Sequence, residues 1–345
     1  MGKVLKIRGS KLFAPNGTRI ILTGVNKMFI FEQDINKRVG LNIYPEIAKT
    51  GANCVRIVWG MGRKDANGNV VRSSVQELDA VIANCKANKM IPIIGLWDFT
   101  GDLPDSGFSK LSKYVDFWCR PDVVAVLKKH EDALIINIAN EASEECDDSE
   151  NELNAKLPAF VNSFSIAVKR IREAGILSPL MIDGLDFGKS LKCFSFVRRG
   201  LGINVATELL NADTQKNLIF SFHSYWPKRF TDGQTFVEEI FNQAVTDGFC
   251  FVIGELSKYG AEGKCEEGEV DYKRFAKLCT NNMVGYMLWE WGPGNELGDS
   301  SCGAMNMTTN GTFSRLRDWG KEMVESQDFG FKVKGRLTNV KKMFV

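Results

Sequence analysis

The sequence predicts a single (β/α)8 barrel spanning residues 1–345. Three observations carry that prediction. Eight short apolar runs recur with starts roughly 33 to 45 residues apart. Helix-like stretches with start and stop signals lie between them. The phosphate-binding fingerprint of the competing architecture, a doubly wound open sheet, does not occur: neither G-x-G-x-x-G nor G-x-x-x-x-G-K-[ST] is present. Buried strands that alternate with helices imply a parallel sheet, and eight such units close into a barrel.

The elements follow in order. Residues 4–24 hold two β-rich segments around a Pro15-Asn16-Gly17 turn signal, which predicts a hairpin. IILTGVN, near residue 20, is the first barrel strand. NIYPEIAKTG then reads as a helix stopped at Gly51, followed by the strand NCVRIVW. The next helix, SSVQELDAVIANCKANK, opens with Ser74 and Glu77 in capping-box spacing. The strands MIPIIGLWD, LIINIANE and PLMIDGLDF come next, with the helix FVNSFSIAVKRIREAG ending at Gly175 before the last of them. NLIFSFHSYW, the helix TFVEEIFNQAVTDG ending at Gly248, FVIGEL and VGYMLWEW complete the set. A last helix, FSRLRDWGKEMVES, precedes a tail, residues 328–345, whose partial period-2 pattern reads as strand-like and packed on the barrel exterior or base.

Bulk properties exclude several functions. Apolar residues make up 44% and charged residues 25% of the chain, the composition of a soluble globular protein. The net charge of +2 comes without a basic stripe, so no nucleic acid is expected as partner. No apolar run approaches the ~20 residues of a membrane span, and the opening MGKVLKIRGS lacks the apolar core of a signal peptide. Two histidines, His130 and His223, exclude a histidine-rich zinc site. Among nine cysteines there is no C-x-x-C. Cys54 sits in a strand run as a small hydrophobe, while Cys146, Cys265 and Cys302 lie in loop-like stretches where pairing is open. The acidic loop EASEECDDSENE could hold calcium, but a solvated loop is the expectation, and no cofactor is expected.

In a barrel of this kind chemistry belongs at the carboxyl ends of the strands. Those ends carry unexpected polar groups: Arg56 in the second strand, Asn140 and Glu141 after the fourth, His223 and Tyr225 at the sixth, and Glu255 at the seventh. Trp289 and Trp291 lie at the eighth. Each alone has a bland reading as a loop charge, a core histidine, an interior ion pair or a packed aromatic. Together they would converge on one rim, and buried convergent charges are costly unless they compensate one another. Two carboxylates facing each other across a rim are the apparatus of glycoside hydrolysis.

NIANE, HSYWP, VIGEL and YMLWEWGPGN on the fourth, sixth, seventh and eighth strands resemble glycoside hydrolase family 5, most closely its bacterial-type endo-β-1,4-mannanases. ILTGVN, KTGANCVRIVW, LDAVIANCKANKMIPIIGLWDFTG and EDALIINIANEA follow that group's order of segments, so the likeness runs from about residue 10 to 325. The resemblance implies that Glu141 is the acid/base and Glu255 the nucleophile of a retaining hydrolysis. Asn140 would bond the sugar 2-hydroxyl, Arg56 would hold Glu255 ionised, Tyr225 would donate to Glu255, and His223 would sit beside Glu141. Trp289 would floor the reacting subsite, with Trp226 and Trp291 as neighbours or as core.

The chain departs from the family pattern at three places. Trp97 stands where the third strand ordinarily brings a histidine, Ala142 replaces a proline, and GVNKMFIFEQD lacks the usual histidine and aromatic pattern. These changes bear on the substrate more than on the reaction. The expected activity is endo-hydrolysis of β-1,4-mannan, with β-1,4-glucan as the rival substrate and a non-catalytic carbohydrate-binding barrel as the rival class. A Ser-His-Asp hydrolase is disfavoured because there is no G-x-S-x-G elbow. The expected partner is a polysaccharide or oligosaccharide, met by a monomer outside the cell.

Overall fold

The structure, a computed structural model, describes residues 3–29, 43–61, 63–64, 70–71, 74–98, 100, 110–143, 145–226, 231–260, 269–292, 301–333 and 343–344. Eight parallel strands form a closed barrel: β1 (Thr23–Met28), β2 (Cys54–Trp59), β3 (Ile91–Leu96), β4 (Ile135–Asn137), β5 (Leu180–Asp183), β6 (Leu218–Ser224), β7 (Phe251–Leu256) and β8 (Gly285–Leu288). Each pairs with the next in chain order, and β8 returns to β1 through Tyr286, Met287 and Leu288. Helices run between them, as the periodicity requires.

The start and stop signals act as read. Ser74 and Glu77 form a complete capping box on the helix Val75–Ala87. Gly51, Gly175 and Gly248 all take the left-handed backbone that ends a helix. The last helical segment is broken: Phe313–Arg315 is a short 3-10 turn, and the α-helix is Asp318–Glu325. The N-terminal hairpin gains a strand. Lys6–Arg8 pairs antiparallel with Lys11–Phe13, which pairs with Arg19–Ile20 across the Pro15-Asn16-Gly17 turn. In the tail no strand forms among the described residues. Phe329 and Phe331 are buried, 334–342 lie outside the described residues, and Met343 and Phe344 pack at the base.

Inward side chains stack in three levels. At the floor, Cys54, Ile91, Ile135, Met181, Ile219 and Met287 join Leu5, Ile7, Leu12 and Ile20 of the N-terminal sheet in one apolar cluster, so the sheet plugs the barrel. Above it lies a polar belt of Asn26, Arg56, Asn137 and Asp183, each at most 2% exposed. At the mouth Met28, Val58, Tyr225, Trp289 and Met305 pack together with Trp97 and Tyr259. The alternate residues of the strands, such as Val55, Ile57 and Trp59, face the helices. The alternation of strand side chains thus separates the structural core from the functional interior.

Two register shifts shape the mouth. The β6–β7 ladder slips between Phe222 and His223, and the β7–β8 ladder between Ile253 and Leu256. Such irregularities re-aim side chains next to active sites, and here they set His223 opposite Glu255 in the register.

Candidate active site

Arg56 is the hub. Its guanidinium is wholly buried, a position tolerable only if every N–H and the charge find partners. Nη1 donates to Glu255 Oε1 at 2.7 Å and to Asn26 Oδ1 at 2.9 Å. Nη2 donates to Asn137 Oδ1 at 2.7 Å and Asn140 Oδ1 at 2.5 Å, and Nε to Asn137 Oδ1 at 3.1 Å. A planar fork of five donors suits this ring of acceptors, and a lysine could not match it.

Glu255 is held from its other side by Tyr225, whose hydroxyl donates to Oε2 at 2.6 Å. Glu141 lies across the opening. Its Oε1 is 2.8 Å from His223 Nδ1, and its side chain is 16% exposed, the most open of the group. One carboxylate oxygen from each glutamate and one ring nitrogen of His223 all lie within 4.8 Å of one another. The backbone N–H of His223 donates to the Gly188 carbonyl at 2.8 Å. Gly188 closes over the imidazole so tightly that a Cβ there would meet Nδ1 at 2.8 Å.

Burial pushes the Glu141 carboxyl up to about 8, with the Asp183 charge adding to the effect and Arg56 and Lys189 opposing it. Burial likewise raises Glu255, against the pull of His223, Arg56 and the Tyr225 hydrogen bond, while Glu141 adds to the rise. The two carboxyls titrate as a coupled pair. Only Glu255 has a guanidinium and a phenol in direct contact, so the shared proton settles on Glu141. His223 is lowered by burial and stays neutral near pH 7, although Glu255 and Asp183 draw it up. The arrangement therefore offers one carboxylic acid and one carboxylate at one opening, the pair of protonation states that a general acid and a carboxylate nucleophile require.

Of the residues singled out in the sequence, Arg56, Asn140, Glu141, His223, Tyr225 and Glu255 come together here. Asn140 accepts from Arg56, and its Nδ2 donates to Thr100 Oγ1 at 2.9 Å. Trp289 and Trp97 stand at the mouth. Trp226 is half-buried beside Lys189, whose ammonium lies 5.7 Å from its ring centre. Trp291 is not part of the site, contrary to its pairing with Trp289: it is wholly buried in the helix-facing core and donates Nε1–H to the Gly311 carbonyl at 3.0 Å. Strand β8 ends at Leu288, so the two-residue alternation that would put both indoles on one face no longer applies. Cys146 is a free thiol, while Cys265 and the Cys302 side chain lie outside the described residues.

The sequence reading missed the rest of the belt. Asp183 ends β5 as Glu255 nearly ends β7, and Asn26 lies near the end of β1. A polar residue at the end of an otherwise apolar run was the available signal. Asn26 donates to the Gly254 carbonyl at 2.9 Å, and Asn137 to Asp183 Oδ1 at 3.2 Å.

Comparison with known proteins adds an independent line. The family described as "Cellulase (glycosyl hydrolase family 5)" matches residues 15–295. A mannan endo-1,4-beta-mannosidase of Streptomyces lividans is 26% identical over 287 residues, 83% of this chain and 66% of that protein. One of Salipaludibacillus agaradhaerens is 25% identical over 323 residues, 93% of this chain and 91% of that protein. The chain thus spans about two thirds of the first relative's length and nine-tenths of the second's. Among solved structures, the beta-mannanase of Streptomyces thermolilacinus with mannohexaose superposes with a TM-score of 0.76 at 24% identity, covering 98% of each chain, a likeness of fold.

Proposed function

The chain belongs to glycosyl hydrolase family 5, and from that premise we propose that it is a retaining endo-acting β-glycosidase cleaving β-1,4-mannan. Glu255 attacks the anomeric carbon while Glu141 protonates the departing glycosidic oxygen. The glycosyl–enzyme ester that forms is neutral. With the Glu255 charge gone, the proton affinity of Glu141 falls, and it then accepts the proton of the water that hydrolyses the ester. Arg56 and Tyr225 keep Glu255 ionised and oriented. His223 holds the Glu141 head, Asn140 presents an amide beside the acid/base, and Trp289 and Trp97 give the sugar an apolar wall.

The observation that carries the reading is the approach of the two carboxylates. Oxygens within 4.8 Å suit the ~5 to 5.5 Å separation of retaining enzymes and leave no room for the intervening water of an inverting one, which needs ~6.5 to 9.5 Å. The mannan preference rests on the names of the relatives. The family's description as cellulase supports β-1,4-glucan as a second reading. Soluble mannan, glucomannan and carboxymethylcellulose, assayed side by side, separate the two: the proposal expects mannan to be cleaved fastest, and a preference for carboxymethylcellulose refutes it. Glu255→Ala should lose at least about a thousandfold in turnover; a protein that merely binds sugar would keep its affinity and have no turnover to lose. A polymer that cannot readily enter a cell extends the proposal to an extracellular enzyme, checked by assaying culture medium against lysate.

A further inference from the structure

Asp183 takes no part in the two-glutamate reaction, yet it bonds the backbone of the acid/base residue and lies beside the histidine that meets its carboxyl. Its Oδ2 accepts the backbone N–H of Glu141 at 3.1 Å. Glu141 has a left-handed backbone there, φ 46°, a conformation that side-chain-bearing residues avoid unless the surroundings impose it. The same Oδ2 lies 3.6 Å from His223 Nε2, and the other ring nitrogen, Nδ1, meets the Glu141 carboxyl at 2.8 Å. Asp183 is itself anchored: Oδ1 accepts from Asn137 Nδ2 at 3.2 Å, and Oδ2 lies 3.4 Å from Arg56 Nη2. It is 2% exposed.

We propose that Asp183 is a positioning residue for the acid/base, holding Glu141 directly at its backbone and setting a charge beside the His223 that meets its carboxyl, beyond serving as a counter-ion to Arg56. The inference rests on the acid/base role proposed for Glu141. An internal counter-ion alone would need contact only with Arg56, and that is the longest of the hydrogen bonds Asp183 accepts. The charged and titratable groups around Glu141 are Arg56 from β2, Asp183 from β5, Lys189 from the loop after β5, His223 from β6, Tyr225 just beyond β6, and Glu255 from β7. Burial is the first cause of the high proton affinity of Glu141, and the Asp183 charge is the second. Removing that charge leaves Arg56 and Lys189 acting on Glu141 with less opposition.

The test is Asp183→Asn, which keeps shape and an acceptor oxygen while removing the charge; Asp183→Ser gives the same comparison if the first variant does not fold. The Glu141 carboxyl is followed by carbon-13 NMR, assigned with Glu141→Gln. Its titration should move to lower pH by about one unit or more, and the alkaline limb of the activity profile should move with it. Turnover should fall about tenfold to a hundredfold on an aryl β-mannobioside with a phenol leaving group, which needs the proton. Glycosylation by the dinitrophenol analogue, which does not, should change little. An unmoved Glu141 titration, or equal loss on both substrates, overturns the proposal. If the wild type cleaves neither substrate, the functional reading fails, and the NMR titration alone decides the role of Asp183.

Discussion

Glu141→Gln should make the folded protein more stable, and increasingly so as pH rises. Glu141 keeps its proton up to about pH 8 in the folded chain, whereas the unfolded chain releases it near 4.5. Between those values the folded state holds more protons than the unfolded state, so stability falls as pH rises through the window. The penalty is absent below pH 4.5 and complete above pH 8. At about 1.36 kcal/mol per pH unit the interval is worth about 5 kcal/mol. The side chain is 16% exposed, and solvent screening trims this to about 3 to 4 kcal/mol. Gln is neutral at every pH and keeps an acceptor oxygen toward His223, so it removes the penalty while leaving the contact. With an unfolding entropy of about 0.7 kcal/mol/K for a chain of this length, the variant's Tm should exceed the wild type's by about 4 to 6 °C at pH 9. At pH 5 the two should nearly coincide. Calorimetric scans of both proteins from pH 5 to 9 measure the gap. A gap that stays constant, or closes as pH rises, refutes the assignment of the proton to Glu141.

Other perturbations have equally definite signs. Tyr225→Phe removes the phenol that donates to Glu255 Oε2; Glu255, proposed as the nucleophile, should then ionise at higher pH, moving the acidic limb of kcat/KM upward, as initial rates from pH 3 to 7 would show. Gly188→Ala puts a methyl 2.8 Å from His223 Nδ1 at a left-handed φ of 79°; kcat should fall by about tenfold or more through displaced acid/base geometry, with secondary structure intact by circular dichroism. Arg172→Met strips the counter-ion from buried Asp213, which Arg172 Nε meets at 2.8 Å and Nη2 at 2.9 Å. Urea denaturation should register a loss of about 3 to 5 kcal/mol. Burial pushes Asp213 up, but the hydrogen bonds and charge of Arg172 together with the backbone N–H groups of Asn217 and Gln215 bring it below the ordinary carboxylate value, so in the wild type this contribution is present above the ordinary carboxylate range and fades as pH falls below it.

The barrel was legible because its causes are local. A strand buried on both faces must be apolar along its length, a helix must show its stop residue, and Ser74, Gly51, Gly175 and Gly248 are read directly from the letters. Glu141 and Glu255 stood out for the same reason, each an ionisable group at the end of an apolar run. Trp291 misled because the alternation rule lapses where β8 ends, and Asp183 was passed over because one aspartate after a strand is chemically unremarkable until its neighbours are known.

The sequence by itself determined the eight-fold alternation, the identity of the polar strand ends and the supply of two carboxylates, since these follow from hydrophobic periodicity and residue chemistry. Tertiary structure alone decided that one buried guanidinium serves Glu255, Asn26, Asn137, Asn140 and Asp183 together, and that a register slip at His223 sets the imidazole against both glutamates. Arg56 and Glu255 alone are 199 positions apart in the chain. Barrel closure brings them within a few ångströms of one another, and it is the distances between them, together with the loss of water around them, that divide one proton unequally between two otherwise identical side chains.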